Sequence, residues 1–158
     1  MRPRARGFTF IELMVTLAIM AVLGLIALPI GELAVQRKKE NELRSALSEI
    51  RAALDAYKRA AEQGRVTVKI GESGFPKSLD VLVEGLPDQK SPDRKALYFL
   101  RRLPPDPMFP GSSMAPAETW GKRSYATPPD DPHEGDDIFD VYSLSNAKGL
   151  NGVPYRQW

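Results

Sequence analysis

The sequence predicts an α+β fold, in which one long N-terminal α-helix packs on a small head with an antiparallel sheet. Residues 8–30 form a continuous apolar run, and apolar residues then recur every three or four positions as far as residue 63, which is the periodicity of a helix. From residue 64 onward, glycines and prolines separate short segments of alternating apolar and polar residues, as is typical of strands and loops. With 158 residues, of which 42% are hydrophobic and 27% charged, the chain can form one modest domain beside this helix.

The apolar run indicates a transmembrane helix. From Phe8 to Ile30 the sequence FTFIELMVTLAIMAVLGLIALPI contains one charged residue, Glu12. At ~1.5 Å per residue, a helix of this length spans roughly 35 Å, which exceeds the ~30 Å hydrocarbon core of a bilayer. A secretory signal peptide is the alternative, but its apolar core has only ~7 to 15 residues, and ALPIGEL is a poor cleavage site.

Basic residues predict the orientation of this helix. Arg2, Arg4 and Arg6 precede the apolar run, and an excess of basic charge favours the cytoplasmic side of a membrane. The basic cluster at residues 37–39 argues weakly in the opposite direction. We give the leader more weight because its arginines adjoin the helix, and we expect a single-pass protein with a cytoplasmic N-terminus.

Residues 31–63 are expected to continue the helix as an amphipathic segment. Pro29 lacks an amide donor and should kink or loosen the helix, and Gly64 is a plausible end signal. The predicted packing face is formed by Leu43, Ala46, Leu47, Ile50, Leu54, Tyr57 and Ala61. We expect this stripe to pack on the head. A coiled-coil partner is the rival interpretation, for which three heptads are marginal.

The opposite face of this segment is expected to be charged. Glu40 with Arg44 and Asp55 with Arg59 have i,i+4 spacing, which stabilises a helix by about 0.2–0.5 kcal/mol per pair.

The head is expected to contain a short helix and a hairpin. Residues 65–74 predict a short strand or an extended loop, and residues 75–86 predict a short helix with Ser78 as its cap and Gly85 as its end. KALYFLRRL fits a helix or a strand, and the proline-rich stretch that starts at Pro104 predicts a loop. RSYAT and DIFDVYSL are the best strand candidates, and they predict an antiparallel hairpin with a long acidic connection.

Composition and motifs exclude several function classes. The chain has no cysteine and a single histidine, His133, so it offers no disulfide, no thiolate ligand and no pair of histidines for a transition metal. Its net charge of +2 is spread along the chain without a basic patch for nucleic acid. The sequence has no phosphate loop, G-x-S-x-G elbow or HExxH motif. We therefore expect neither a nucleic-acid partner nor an enzyme.

The N-terminus resembles a known family. A short basic leader ends in Gly7, and Phe8 and Thr9 then open the apolar run, with Glu12 at the fifth position after the glycine and Pro29 farther along. This pattern resembles the N-terminal signature of type IV pilins and of type II secretion pseudopilins. The resemblance implies that prepilin peptidase cuts between Gly7 and Phe8 and that the new N-terminal Phe8 is methylated.

The same resemblance implies a role for Glu12 in assembly. A carboxylate near the end of a membrane helix costs on the order of ~3 kcal/mol on insertion scales, and such residues usually face a partner or mark function. Cleavage would create a charged amine at Phe8 that needs a counter-ion in low dielectric. The resemblance implies that Glu12 pairs with this amine in a neighbouring subunit, so Phe8, Glu12 and Pro29 are the predicted filament-assembly residues. A snorkelling side chain at the membrane interface is the simpler alternative for Glu12.

The resemblance divides the chain into four segments. Residues 1–7 are a cleaved leader, residues 8–30 a transmembrane and polymerisation helix, residues 31–63 its amphipathic continuation, and residues 64–158 a globular periplasmic head. Loss of the leader would remove three arginines and leave the mature chain close to neutral.

The head is loosely similar to the major pseudopilin (G-type) of type II secretion systems. The order of its segments resembles LP-x-DPWG-x-x-Y followed by D-x-x-SLG-x-DG, although residues 108–119 are inserted between DP and WG. The residues that fit are Leu103, Pro104, Asp106, Pro107, Trp120, Gly121, Tyr125, Asp140, Ser143 and Leu144.

Major pseudopilins of this type can bind calcium in the C-terminal loop, and calcium takes six to eight oxygen ligands, usually with several carboxylates. Here Ser145, Asn146 and Asn151 offer neutral oxygens only, and Lys148 opposes a cation. We therefore expect no cofactor and do not favour calcium. The acidic run at residues 130–137 is richer in ligands, but such a run in a turn is more often solvated.

The resemblance implies a structural subunit of a type II secretion pseudopilus, which polymerises from the inner membrane into a periplasmic filament and drives protein export. The implied partners are further copies of the chain, prepilin peptidase, the inner-membrane assembly platform and minor pseudopilins. A type IV pilus subunit for adhesion, motility or DNA uptake is the closest alternative. An unprocessed membrane-anchored periplasmic binding module is an alternative from another class, and it would have no need of Glu12.

Overall fold

Helix α1 spans Phe10–Glu62 and contains the N-terminal apolar run, apart from Phe8 and Thr9, together with the amphipathic segment. The computed structural model of the chain describes residues 7–93, 95–111 and 113–158, and for residues 25–30 it describes the backbone alone. The arginine leader, residues 1–6, lies outside the described residues. The chain forms two compact units, Met1–Lys38 and Lys39–Trp158. A long N-terminal helix with small antiparallel sheets confirms the predicted α+β fold.

The first unit exposes its apolar side chains. Phe8, Phe10 and Ile11 are 72–79% exposed, and the large apolar residues from Leu13 to Leu23 are at least half exposed. Exposed apolar surface of this kind marks a site of protein or membrane interaction. Among the described residues, no helix meets the length and hydropathy expected of a membrane span. Helix α1 continues through Pro29, whose side chain lies outside the described residues, and the predicted kink stays a prediction.

The second unit is organised around the outer half of α1. Six of the seven residues of the predicted stripe are buried, from Leu43 to Tyr57, and Ala61 is partly buried. They form one core with Leu82, Trp120, Val141 and other residues of the head. The prediction that the stripe packs within the chain is confirmed. Because these residues are buried in the core of the second unit, the same stripe does not face a coiled-coil partner.

Glu40 corrects the prediction of a charged, exposed face. Its residue is only 4% exposed, and its carboxylate faces the C-terminal segment. Position 40 lies three residues before Leu43, which continues the three-and-four spacing of the buried stripe toward the N-terminus. The charge of Glu40 predicts an exposed position, whereas its spacing from Leu43 places it on the packing face of the helix.

Helix α1 ends as Gly64 predicts. Gly64 has φ +69°, a conformation that glycine adopts without a Cβ clash. The Gly64 amide donates to the Ala61 carbonyl at 2.9 Å and the Arg65 amide donates to the Ala60 carbonyl at 2.9 Å. These two bonds form a Schellman motif, which satisfies carbonyls at the helix terminus.

The segment after α1 is mostly loop with a short helix. Residues 65–74 form a loop, and helix α2 spans Val81–Glu84. The predicted cap Ser78 is wrong, because the capping position is Asp80 and its side chain makes no capping bond. Gly85 ends the helix with φ 83°, as predicted.

The KALYFLRRL segment forms a strand at its start. Strand β1, Leu86–Pro87, pairs with β2, Ala96–Leu97, in an antiparallel two-stranded sheet. The Phe99 and Leu100 amides then both donate to the Leu82 carbonyl, which attaches this segment to α2.

The predicted hairpin exists, but its first strand lies earlier than expected. Strand β3, Trp120–Arg123, pairs antiparallel with β4, Asp140–Ser143, and Gly121 faces Tyr142 in the register. The RSYAT segment therefore contributes only Arg123 to the strand. The proline-rich context predicts a loop that includes Trp120, yet Trp120 begins strand β3 and its ring is among the largest fully buried side chains.

We predict that Leu54→Ala destabilises the head by about 2–4 kcal/mol, because it leaves a cavity in the core around a side chain that is 1% exposed. Chemical denaturation of the full chain in detergent, followed by tryptophan fluorescence, measures this change. The matched control is Ile70→Ala, since Ile70 is fully exposed. Equal losses in the two variants would contradict the described packing.

Candidate functional site

The N-terminus of α1 is built around Thr9 and Glu12. The Glu12 amide donates to Thr9 Oγ1 at 3.3 Å, and the Thr9 amide and hydroxyl both donate to Glu12 Oε2 at 3.4 Å. The Leu13 amide donates to the Thr9 carbonyl at 3.1 Å, which is the first helical bond. Together these contacts form a capping box, in which a threonine and a glutamate three residues later satisfy amides at the helix start.

The helix terminus makes this a favourable place for a carboxylate. The amides of the first turn give a helix N-terminus a partial positive charge, which stabilises an acidic side chain there. A free amine at Phe8 would add a second positive charge at the same end. Glu12 is the acidic residue of the first turn, so it is the nearest counter-charge that the helix itself offers.

Gly7 and Phe8 precede the helix and are exposed. A Cβ built on Gly7 meets nothing within 4 Å, so the described fold places no steric requirement for glycine at this position. The Phe8 side chain is 78% exposed. The peptide between the two residues is therefore accessible to a second protein.

In the head, the structure brings together residues that the sequence resemblance singled out. Ser143 Oγ donates to Asp106 Oδ2 at 2.6 Å in a buried position, and Trp120 Nε1 donates to the Pro104 carbonyl at 2.8 Å. Packing requires glycine at position 121, because an added Cβ would lie 2.3 Å from the Tyr142 ring. These contacts attach the proline-rich loop to the β3–β4 hairpin. Tyr125 is 64% exposed and lies outside this set of contacts.

Residues 2–28 match the prokaryotic N-terminal methylation motif. Neither a curated protein nor a solved structure is significantly similar to the chain. The motif indicates a type IV pilin-like protein that is processed as a prepilin, and it covers Gly7, Phe8, Thr9 and Glu12. Proteins with this motif are structural subunits, which agrees with the predicted class. The motif does not distinguish a pseudopilin from a pilus subunit.

Thr9 is the part of this site that the sequence analysis missed. The motif T-x-x-E before an apolar run is a signal for a capping box, and it is present at residues 9–12. The assembly role predicted for Glu12 depends on its charge alone, whereas the capping contact gives Glu12 a partner within its own chain.

The acidic run contains one structural aspartate. Asp137 accepts hydrogen bonds from the Ser73 and Ser124 hydroxyls and from the Tyr125 amide. Partial burial raises the pKa of Asp137, but these hydrogen bonds outweigh it and hold the pKa below its ordinary value. Asp137 therefore links the hairpin connection to the loop that follows α1. Asp130, Asp131, Glu134 and Asp136 are exposed.

The weak calcium candidates serve as turn residues. Asn151 Oδ1 accepts from the Val153 amide at 3.0 Å, and Ser145 Oγ accepts from the Ala147 amide at 3.4 Å. Asn146 is exposed. Within the part of the chain that the structure describes, no three histidine, aspartate or glutamate side chains are grouped to hold a metal ion.

We predict that Asp137→Asn makes the acid unfolding of the head shallower. Because the folded pKa of Asp137 is lowered, its contribution is fully present above its unfolded pKa of about 3.9 and is lost as pH falls through the folded value. The thermal unfolding midpoint should therefore fall less in Asp137→Asn than in the unsubstituted chain when the pH is lowered from about 5 to about 2.

Asp130→Asn is the matched control from the same segment, because Asp130 is exposed. Asp88, whose pKa is lowered by the hydrogen bond from Arg65, stays in all three proteins and contributes equally. The same acid dependence in Asp137→Asn and Asp130→Asn would refute the assigned role of Asp137.

Proposed function

We propose that the chain is a structural subunit of a type II secretion pseudopilus, processed by prepilin peptidase and polymerised from the inner membrane through helix α1. The observation that carries this proposal is the N-terminal methylation motif on a helix whose apolar side chains are exposed. In this proposal residues 8–30 span the inner membrane before assembly, with the head in the periplasm. The partners are prepilin peptidase, the assembly platform, minor pseudopilins and further copies of the chain.

The exposed apolar side chains support polymerisation by helix packing. Extensive exposed apolar surface is rare in monomeric soluble proteins, and both a bilayer and a bundle of neighbouring helices would cover it. Gly24 and Gly31 have nothing within 4 Å of an added Cβ, although a glycine inside a helix costs about 1 kcal/mol relative to alanine. Small residues allow helices to approach closely in a membrane. In the proposed filament, these two glycines would allow the helices of neighbouring subunits to pack closely.

Glu12 supports a specific docking step. Its hydrogen bonds to Thr9 are long, at 3.3–3.4 Å, and exposed, and exposed hydrogen bonds contribute little net free energy. The amine of Phe8 in a neighbouring subunit carries a positive charge, and a bond between two opposite charges is stronger than the contacts of the carboxylate with the uncharged donors of Thr9. We propose that Glu12 exchanges its partner within the chain for this amine during assembly.

The head supports a pseudopilin in preference to a pilus subunit. The Asp106–Ser143 and Trp120–Pro104 contacts join the two segments on which the pseudopilin resemblance depends. A type IV pilus subunit shares the N-terminal motif but does not explain the order of these head segments.

The first experiment is an intact mass and an N-terminal fragment spectrum of the full chain isolated from the native membrane. We expect a chain that begins at Phe8 and carries one extra methyl group. A chain that begins at Met1 would lack the free amine at Phe8 and would overturn the proposal in favour of a tethered module.

We predict that Glu12→Ala inserts and is cleaved normally but forms few filaments, because the Phe8 amine loses its counter-charge. Sheared filaments from cells that co-express the secretion machinery are quantified by immunoblot and electron microscopy. Glu32→Ala is the matched control, since Glu32 is an exposed glutamate on the same helix.

The variant Thr9→Ala distinguishes the capping contact of Glu12 from its proposed role in filament assembly. It removes the hydroxyl contact with Glu12 and leaves the carboxylate in place, so we expect filament yields close to those of the unsubstituted chain. Normal filaments from Glu12→Ala, or an equal loss in Thr9→Ala, would contradict the docking role.

A further inference from the structure

The C-terminal segment, residues 145–158, is attached to α1 by polar contacts from three residues of the helix. Glu40 Oε1 accepts from the Leu150 amide at 2.7 Å and from the Tyr155 hydroxyl at 2.9 Å. The Arg44 guanidinium lies 4.4 Å from the centre of the Trp158 ring. Arg51 donates to the Trp158 carbonyl at 2.8 Å.

Arg51 also connects this segment to the hairpin. Its Nε donates to Asp140 Oδ1 at 2.7 Å, and its Nη2 donates to the Val141 carbonyl at 3.2 Å. The helix therefore holds β4 and the end of the segment through one guanidinium.

The segment is also closed upon itself. The Gly149 amide donates to the Val153 carbonyl at 2.9 Å, and the Tyr155 amide donates to the Ala147 carbonyl at 3.1 Å. Gly149 is required by packing, because an added Cβ would lie 2.4 Å from the Trp158 ring. Several side chains and several carbonyls of the segment are thus engaged within the chain.

This arrangement does not fit the calcium ion that the family resemblance suggests for the same loop. Calcium takes six to eight oxygens at 2.3–2.6 Å, usually with several carboxylates. Residues 145–158 contain no acidic side chain, and Lys148 adds a positive charge. The carboxylate that reaches the segment belongs to Glu40, and it already accepts two hydrogen bonds at one oxygen.

We infer that Glu40 takes the place of a calcium ion in this chain: its buried carboxylate fastens the C-terminal segment to α1, and the segment is ordered without divalent cations. A carboxylate that accepts from a backbone amide and a hydroxyl supplies charge-assisted bonds within the chain. A metal-bound loop loses its order when its ion is chelated, whereas this contact is made by a side chain of the same protein and involves no ion. The inference concerns the second unit alone and does not depend on the function proposed above.

The test uses the full chain in detergent micelles, with excess calcium or with excess EGTA. Thermal unfolding is followed by the fluorescence of Trp120 and Trp158, and exchange of the Leu150 amide is followed by nuclear magnetic resonance. We expect the same midpoint in both conditions and a protected Leu150 amide in EGTA. A higher midpoint in calcium, or an amide protected only in calcium, would overturn the inference.

Substitutions test whether the Glu40 side chain anchors the C-terminal segment. Glu40→Ala should lower the midpoint by about 5–10 °C and accelerate exchange of the Leu150 amide at least about tenfold. Glu49→Ala, an exposed glutamate on the same helix, should change neither. Unchanged Leu150 exchange in Glu40→Ala would exclude Glu40 as the anchor.

Two milder variants cover the case in which Glu40→Ala does not fold. Glu40→Gln keeps an acceptor oxygen without the charge, and Tyr155→Phe removes one donor. Both should lower the midpoint by a smaller amount, with no rescue by calcium. Rescue of either variant by calcium would point to a metal site and refute the inference.

Discussion

The fold of the head depends on the burial of one face of α1. Leu43, Ile50 and Leu54 are at most 1% exposed, and the strands of the head are only two to four residues long. Two-stranded sheets are marginally stable in isolation, so the two sheets here need a hydrophobic surface to pack on. The helix supplies that surface, and the loops of the head are arranged around it.

Polar contacts then determine how the loops lie on this core. Buried polar groups must be hydrogen-bonded, and in the described part of the chain every buried side-chain nitrogen and oxygen has a partner. Asp106 connects the proline-rich loop to β4, and Glu40 and Arg51 connect the C-terminal segment to α1. Each contact joins residues that are far apart in sequence, and each attaches a segment with little regular structure to a helix or a strand.

The sequence was sufficient for the fold class, the packing stripe, the helix end at Gly64 and the existence of a hairpin, because these depend on local periodicity and on glycine. It misled at Glu40, where residue type was given more weight than position. The sequence did not predict contacts such as Asp106–Ser143, because the two residues lie 37 positions apart and no local pattern encodes such a pairing. The capping box at Thr9 is encoded locally, in the T-x-x-E spacing of residues 9–12, and the charge of Glu12 alone does not indicate it.

Glu12 and Glu40 show how one helix uses the same side chain in two ways. The Glu40 carboxylate is buried and makes contacts of 2.7 and 2.9 Å, and removing one partner from such a pair leaves a desolvated group without compensation. The Glu12 carboxylate is exposed and makes contacts of 3.4 Å, so water can replace its partner at little cost. Burial therefore makes Glu40 a structural link within the head, while exposure leaves the Glu12 carboxylate accessible, as the assembly role that we propose for it requires. The two glutamates thus differ in solvent access and in hydrogen-bond length, which the identity of the residue does not reveal.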